Sequence, residues 1–184
     1  MIGQVMDLPL DGARLASDDL PELLVDNPRA LARPLTIKAR AYWETQRGDH
    51  DMPTRDAITP RGMREFLANV MLIEVREAKD GGSDYVVRLA GTKIEDVIGQ
   101  MKGMNVRETL PAEIAARWTR ILDQVVRTAE PVRATSRLAF KGMTWLAGEV
   151  FAAPLGENGK VSSVFAAADI WPVGQPPGAN RNRA

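Results

Sequence analysis

The sequence contains no cysteine and a single histidine, His50. The first absence removes disulfides, thiolate metal sites and any cysteine nucleophile, and it fits a reducing compartment. The second leaves no pair of imidazoles for a metal site and no Ser-His-Asp arrangement outside the neighbourhood of that residue. Charge of one sign is also lacking: 24 Lys and Arg balance 24 Asp and Glu. Neither nucleic acid nor an anionic membrane surface is therefore an expected partner. No run approaches the ~20 apolar residues of a membrane span. The opening MIGQVMDLPLDGARL lacks the basic and apolar regions of a signal peptide, so the expected location is cytoplasmic.

What is present is ordinary for a globular chain: 45% apolar and 26% charged residues over 184 positions, which suggests one domain with decorated ends. Residues 1–33 are mixed, and DDLPELLVDNP has room for a turn or two of helix. Pro34 opens PLTIKARAYWETQRG, whose Leu35, Ala39, Tyr42, Trp43 and Gln46 fall near one helical face, with Gly48 as the stop. A polar loop, DHDMPTRDAITP, leads to Thr59-Pro60, which reads as an N-cap and first turn of a short helix through Phe66 and Leu67.

From residue 70 the period becomes that of strands. NVMLIEVREA and YVVRLAGT pair across an Asp-Gly turn. The clearest helix lies within residues 111–131: Ile114, Trp118, Ile121, Leu122 and Val125 recur at three and four, opposite Arg117, Arg120, Asp123 and Arg127, and Pro131 ends it. VRATSRLAFK alternates strictly and reads as a half-buried strand. Lys141-Gly142 and Asn158-Gly159 are the turns of a closing three-strand meander, and the tail 172–184 is expected to be disordered. The expected fold is α+β: a five-stranded antiparallel sheet with helices on one face, and a flanking N-terminal helix. The chain divides into an extension (1–33), flanking helices and loop (34–69), a core (70–171) and the tail.

VVRLAGTKIEDVIGQMKGMN, from residue 86, poses the sharpest question, because strand, glycine and helix is also the grammar of a phosphate loop. The pattern fails that test. Thr92-Lys93 stand in the wrong order for a Walker loop, and the glycines lie eight and four apart beside an antiparallel partner strand. Gly91, Gly99 and Gly103 read instead as routing points for the chain over a sheet.

A hairpin, short helices, a long helix and a meander, in that order, resemble the layout of PAS domains, and more particularly a bacterial family in which such a domain stands nearly alone. Tyr42-Trp43 matches that family's aromatic pair on an N-terminal helix. Pro53, Arg55, Asp56, Ile58 and Pro60 match its loop. Arg88, Leu89, Gly91 and Thr92 match the end of its second strand, and Gly99 and Gly103 its spaced glycines. The resemblance covers about residues 38–170. It implies a sensory or protein-interaction module with a small cavity under the short helices, and it offers no catalytic residues.

On that basis Met101, Met104, Asn105, Trp118, Trp145, Phe151, Phe165 and Arg88 are the candidate pocket residues, for a small apolar or amphipathic ligand. Tyr42 and Trp43 are the candidate contact with a signalling protein or a second copy. Arg55 and Asp56 are expected to pin the N-terminal helix to the sheet. No cofactor is expected: flavin adduct chemistry needs a cysteine, and His50, a solvated loop residue between Asp49 and Asp51, suits neither haem nor a metal. Glu113 and Glu149 read as isolated carboxylates. The expected function is sensing or signalling and not catalysis; the alternatives are a small-molecule-binding protein whose dimerisation is incidental, and a small enzyme on a cupped sheet.

Overall fold

The structure is a computed structural model and describes residues 23–78, 81–138 and 146–172. Helix α1 spans Pro34–Arg47, and the hairpin strands β2 and β3 span Val70–Glu77 and Ser83–Ala90. Helices α2 (Thr92–Ile98), α3 (Val106–Thr109) and α4 (Ala112–Thr128) follow, and β4 (Val132–Leu138), β5 (Leu146–Glu157) and β6 (Lys160–Pro172) complete the core. A further strand, β1 (Leu24–Asp26), precedes them all. The sheet is six-stranded in the order β1-β4-β5-β6-β2-β3, and every pairing is antiparallel.

The expected α+β antiparallel architecture is what the chain adopts, with one strand more than the sequence suggested. That strand falls where a turn or two of helix was expected: Leu24–Asp26 pairs with β4, and the short 3₁₀ turn Pro28–Ala30 follows. Thr59 and Pro60 also start less than expected. Thr59 Oγ1 accepts a hydrogen bond from the Gly62 amide, but the chain continues as turns into the 3₁₀ segment Leu67–Asn69 and never becomes an α-helix. Helix α4 stops short of Pro131, at Ala129 in the left-handed conformation. The Asn158-Gly159 turn forms as read, with positive φ at both residues joining β5 to β6. The Lys141-Gly142 turn, Trp145 and residues 173–184 lie outside the described residues.

Alternation along β5 and β6 gives the sheet two covered faces. Phe151 and Phe165 turn to α1, where Phe151 meets the Trp43 ring edge-on at 6.4 Å between centroids and Phe165 meets Tyr42 at 6.3 Å. Val150 and its cross-strand partner Ala168 turn the other way, towards Ile114, Trp118 and Ile121 of α4. Helices thus lie on both sides: α2 and α4 over one face, α1 over the other. The run Ala166-Ala167-Ala168 in β6 keeps the middle of this sandwich thin, and all three residues are buried.

Candidate functional site

Beneath α2 and α4 lies an apolar cavity of about 60 Å³. Ile94, Val97 and Ile98 roof it, Ile114, Trp118 and Ile121 wall it, and Ser136, Gly148, Val150, Ala168 and Ile170 of the sheet form the floor. Arg117 reaches its edge but spends one guanidinium N–H on the Arg137 carbonyl at 2.8 Å. Leu23, just ahead of β1, contributes to the rim. The lining supplies shape and dispersion contacts, with the Ser136 hydroxyl as its small polar element.

Of the eight pocket residues expected from sequence, Trp118 lines this cavity. Met101 is fully buried elsewhere in the core, and Met104 is exposed. Asn105 caps α3, its Oδ1 accepting from the Arg107 amide at 3.0 Å. Phe151 and Phe165 belong to the α1 side of the sheet, so their assignment to the cavity is corrected by strand parity. Arg88 projects from the opposite face of β3 and pairs with Glu74 at 2.6 Å. Partial burial lifts the Glu74 carboxyl, but the hydrogen bonds from Arg88 and Arg76 outweigh that lift and hold it below its ordinary value. Trp145 is outside the described residues.

The partner contact expected at Tyr42 and Trp43 also changes. Trp43 is 2% exposed and donates its indole N–H to the Pro154 carbonyl at 3.0 Å, so it seals α1 onto its own sheet. Tyr42 is half-buried, and its hydroxyl accepts from the Thr59 amide at 3.2 Å. That bond ties α1 to the loop, whereas Arg55 and Asp56 were expected to pin α1 to the sheet. Arg55 donates to the nearby Ile58 carbonyl, and Asp56 is exposed, while the Pro53 carbonyl takes the Gly156 amide of β5.

The most heavily bonded side chain is one that read as isolated. Glu149 is 1% exposed and faces α1. Its carboxylate accepts from the amides of Ala32 (3.1 Å) and Arg33 (2.9 Å), from Thr36 Oγ1 (2.5 Å) and from Arg133 Nε (2.9 Å). Arg33 stands at the N-cap of α1 without a side-chain cap of its own, so the sheet delivers the anion that the positive end of the helix requires. Around this centre Arg133 also pairs with Asp26 of β1 at 3.0 Å. Arg33 pairs with Asp169 at 2.8 Å and stacks over the Trp171 ring at 4.3 Å. Sequence carried one weak sign of this clasp: a Glu in the middle of the apolar run LAGEVFAAPL, where an unpaired charge would be costly.

A second buried polar contact ties the hairpin to α4. The Tyr85 ring is buried, and its hydroxyl donates to Asp123 Oδ1 at 2.5 Å. Burial first, and the neighbouring carboxylate second, push the phenol well above its usual value. Above about pH 10 the unfolded chain releases this proton while the folded chain keeps it, so stability falls as pH rises. The expected slope for this group reaches about 1.4 kcal/mol per pH unit, and Tyr85→Phe abolishes that part. Denaturation midpoints of the two proteins at pH 9 and pH 11 check it; parallel curves would refute it.

Strand order, the short helices over one face and the apolar cavity beneath them together define a cavity-bearing α+β domain. In agreement, the family model described as PAS domain matches residues 31–168, and the chain belongs to that family. No curated protein matches the chain, and no solved structure does. Membership makes it, in general terms, a sensory or signalling module. No helix among the described residues is long and apolar enough to cross a membrane.

Proposed function

We propose that this PAS chain senses a small, uncharged, apolar molecule held in the cavity beneath α2 and α4, and passes the outcome to another protein or to a second copy of itself. The lining carries the reading. Ile94, Ile114, Ile121, Val150 and Ile170 offer aliphatic walls, and the cavity is large enough for a few heavy atoms and too apolar to hold water firmly. Among the described residues neither a carboxylate nor an imidazole lines it, which favours recognition by shape over turnover. Output by contact fits the general use of PAS domains. The flank that α1 presents outward is mixed, with Ile37, Ala41, Glu44 and Thr45 exposed, and suits a transient partner better than a permanent one.

Xenon and small hydrocarbons are suitable probes. Methyl resonances of Ile94, Ile114 and Ile121 are expected to shift in a saturable way under xenon pressure, and Trp118 fluorescence to respond to benzene. Ala168→Leu, which grows into the floor, is expected to remove both responses. Unshifted methyls in the wild-type protein at saturating xenon would overturn the cavity as a binding site.

A further inference from the structure

The even charge of the whole chain hides a local division. Residues 1–22 carry Asp7, Asp11, Asp18, Asp19 and Glu22 against Arg14 and no lysine. They lie outside the described residues and lead into Leu23. Such a one-signed stretch beside a balanced domain is a sign of an interaction segment. The opposite charge gathers on the outward face of α4, turned away from the cavity. There an open groove of about 660 Å³ follows the helix. Short side chains, Ala112, Ala116 and Thr119 among them, form its floor. Three arginines border it: Arg107 from α3, and Arg120 and Arg127 from α4.

The groove's charge is not balanced from within. Asp123 is the one carboxylate among its described lining residues, and its Oδ1 already accepts from the Tyr85 hydroxyl at 2.5 Å. Arg127 donates to Gln124 Oε1, a neutral acceptor. Among the described residues no ion pair includes Arg107, Arg120 or Arg127. Arg40, Arg76 and Arg88, on other faces, each meet a glutamate. Three exposed guanidinium groups thus stand beside one engaged carboxylate, and their forked N–H groups suit further carboxylates. The short floor lets a second segment lie close to the helix, within reach of all three.

The acidic segment joins the domain beside this helix. Leu23 sits on the rim of the cavity that Trp118 and Ile121 of α4 wall. Twenty-two residues reach at most about 75 Å, whereas the 17 residues of α4 are about 26 Å long. Every point of the groove is therefore accessible. Tethering gives the segment an effective concentration of order mM, so ion pairs too weak to hold a free peptide suffice to hold this one. We propose that segment 1–22 docks along the outward face of α4, its carboxylates meeting Arg107, Arg120 and Arg127. The contact is independent of whatever fills the cavity.

The chain has no cysteine, so one nitroxide label can be placed without background. With Ser17→Cys labelled in the full chain at low salt, the amide resonances of Ala116, Thr119, Arg120 and Asp123 are expected to broaden. That of Glu65, on the α1 side of the sheet, should stay sharp. About 1 M salt shortens the screening length to about 3 Å and should abolish the broadening. Arg120→Glu with Arg127→Glu should abolish it too, and adding Asp18→Lys with Asp19→Lys should bring it back. Both arginines are exposed, and undisturbed amides at the buried Leu122 and Val125 will show that the fold is kept. Sharp α4 amides at low salt, or broadening that survives the arginine reversal, would overturn the docking. Mixing spin-labelled chains with isotope-labelled ones gives the last check. Broadening carried across to the isotope-labelled chains would place the segment on a second copy and overturn docking within one chain.

Discussion

Replacing Glu149 with Ala is expected to lower folding stability by about 3–5 kcal/mol, the range for removing one partner of a buried, hydrogen-bonded charge pair. The deletion leaves the Ala32 and Arg33 amides without their acceptor, frees the Thr36 hydroxyl, and strips Arg133 of one of its two carboxylates. Water cannot easily replace them, because Glu149 is 1% exposed at the base of α1. Glu149→Gln should cost less, about 1–3 kcal/mol: one oxygen still accepts, but the amide NH₂ faces donors. Since whole domains are stable by only about 5–15 kcal/mol, the Ala protein should unfold at a visibly lower denaturant midpoint. A loss below about 1 kcal/mol would show that the clasp is ornamental, a value expected of exposed ion pairs.

That residue also marks the boundary of what could be read from sequence. Elements whose information is local were legible. Helix α4 announces itself by four buried apolar residues at helical spacing, Ile114, Ile121, Leu122 and Val125. The β5–β6 hairpin does so through Asn158-Gly159, and β2–β3 through short, near-continuous apolar runs around glycines. Three residues, by contrast, carry no measurable period, so β1 is invisible alone; it is a strand because the open edge of β4 offers Thr135, Ala134 and Arg133 as its register.

Face assignment failed for a related reason. Strands β5 and β6 are buried on both sides, so LAGEVFAAPL has no polar stripe from which to tell the cavity face from the α1 face. Phe151 and Phe165 were placed in the pocket by residue type, and parity sends them to Tyr42 and Trp43 instead. Knowing that α1 covers the second face would have settled both, since Trp43 then needs an aromatic neighbour and a buried acceptor. Besides Arg133, Glu149 meets partners 113 to 117 residues away, a separation that no spacing rule spans. The family resemblance supplied the architecture, but the cavity wall and the clasp are properties of this chain's own side chains.

Gly91 leads to the other large expected effect, and it turns the reading of the glycine-punctuated segment around. As a bend-maker it would need a backbone that other residues avoid, yet its φ of −73° and ψ of 153° suit any residue. Its reason is crowding. A Cβ at Gly91 would lie within 3.0 Å of the Leu67 carbonyl oxygen and of the Ala68 carbonyl group, backbone atoms that cannot rotate away. Those atoms belong to the turn that feeds β2, and Gly91 itself donates to the Val70 carbonyl at 2.8 Å, so neither side can retreat without parting the sheet. Gly91→Ala should therefore cost about 3–5 kcal/mol, at the severe end for single substitutions. It should also loosen α2, which begins at the next residue and roofs the cavity. Gly99 is the opposite case: φ is +89°, and a Cβ would meet nothing within 4 Å. Gly99→Ala pays only backbone strain, about 1–3 kcal/mol. Urea denaturation of the two variants decides the matter, for if Gly99→Ala proves the more damaging, close approach is the wrong account of Gly91 and conformational freedom the right one.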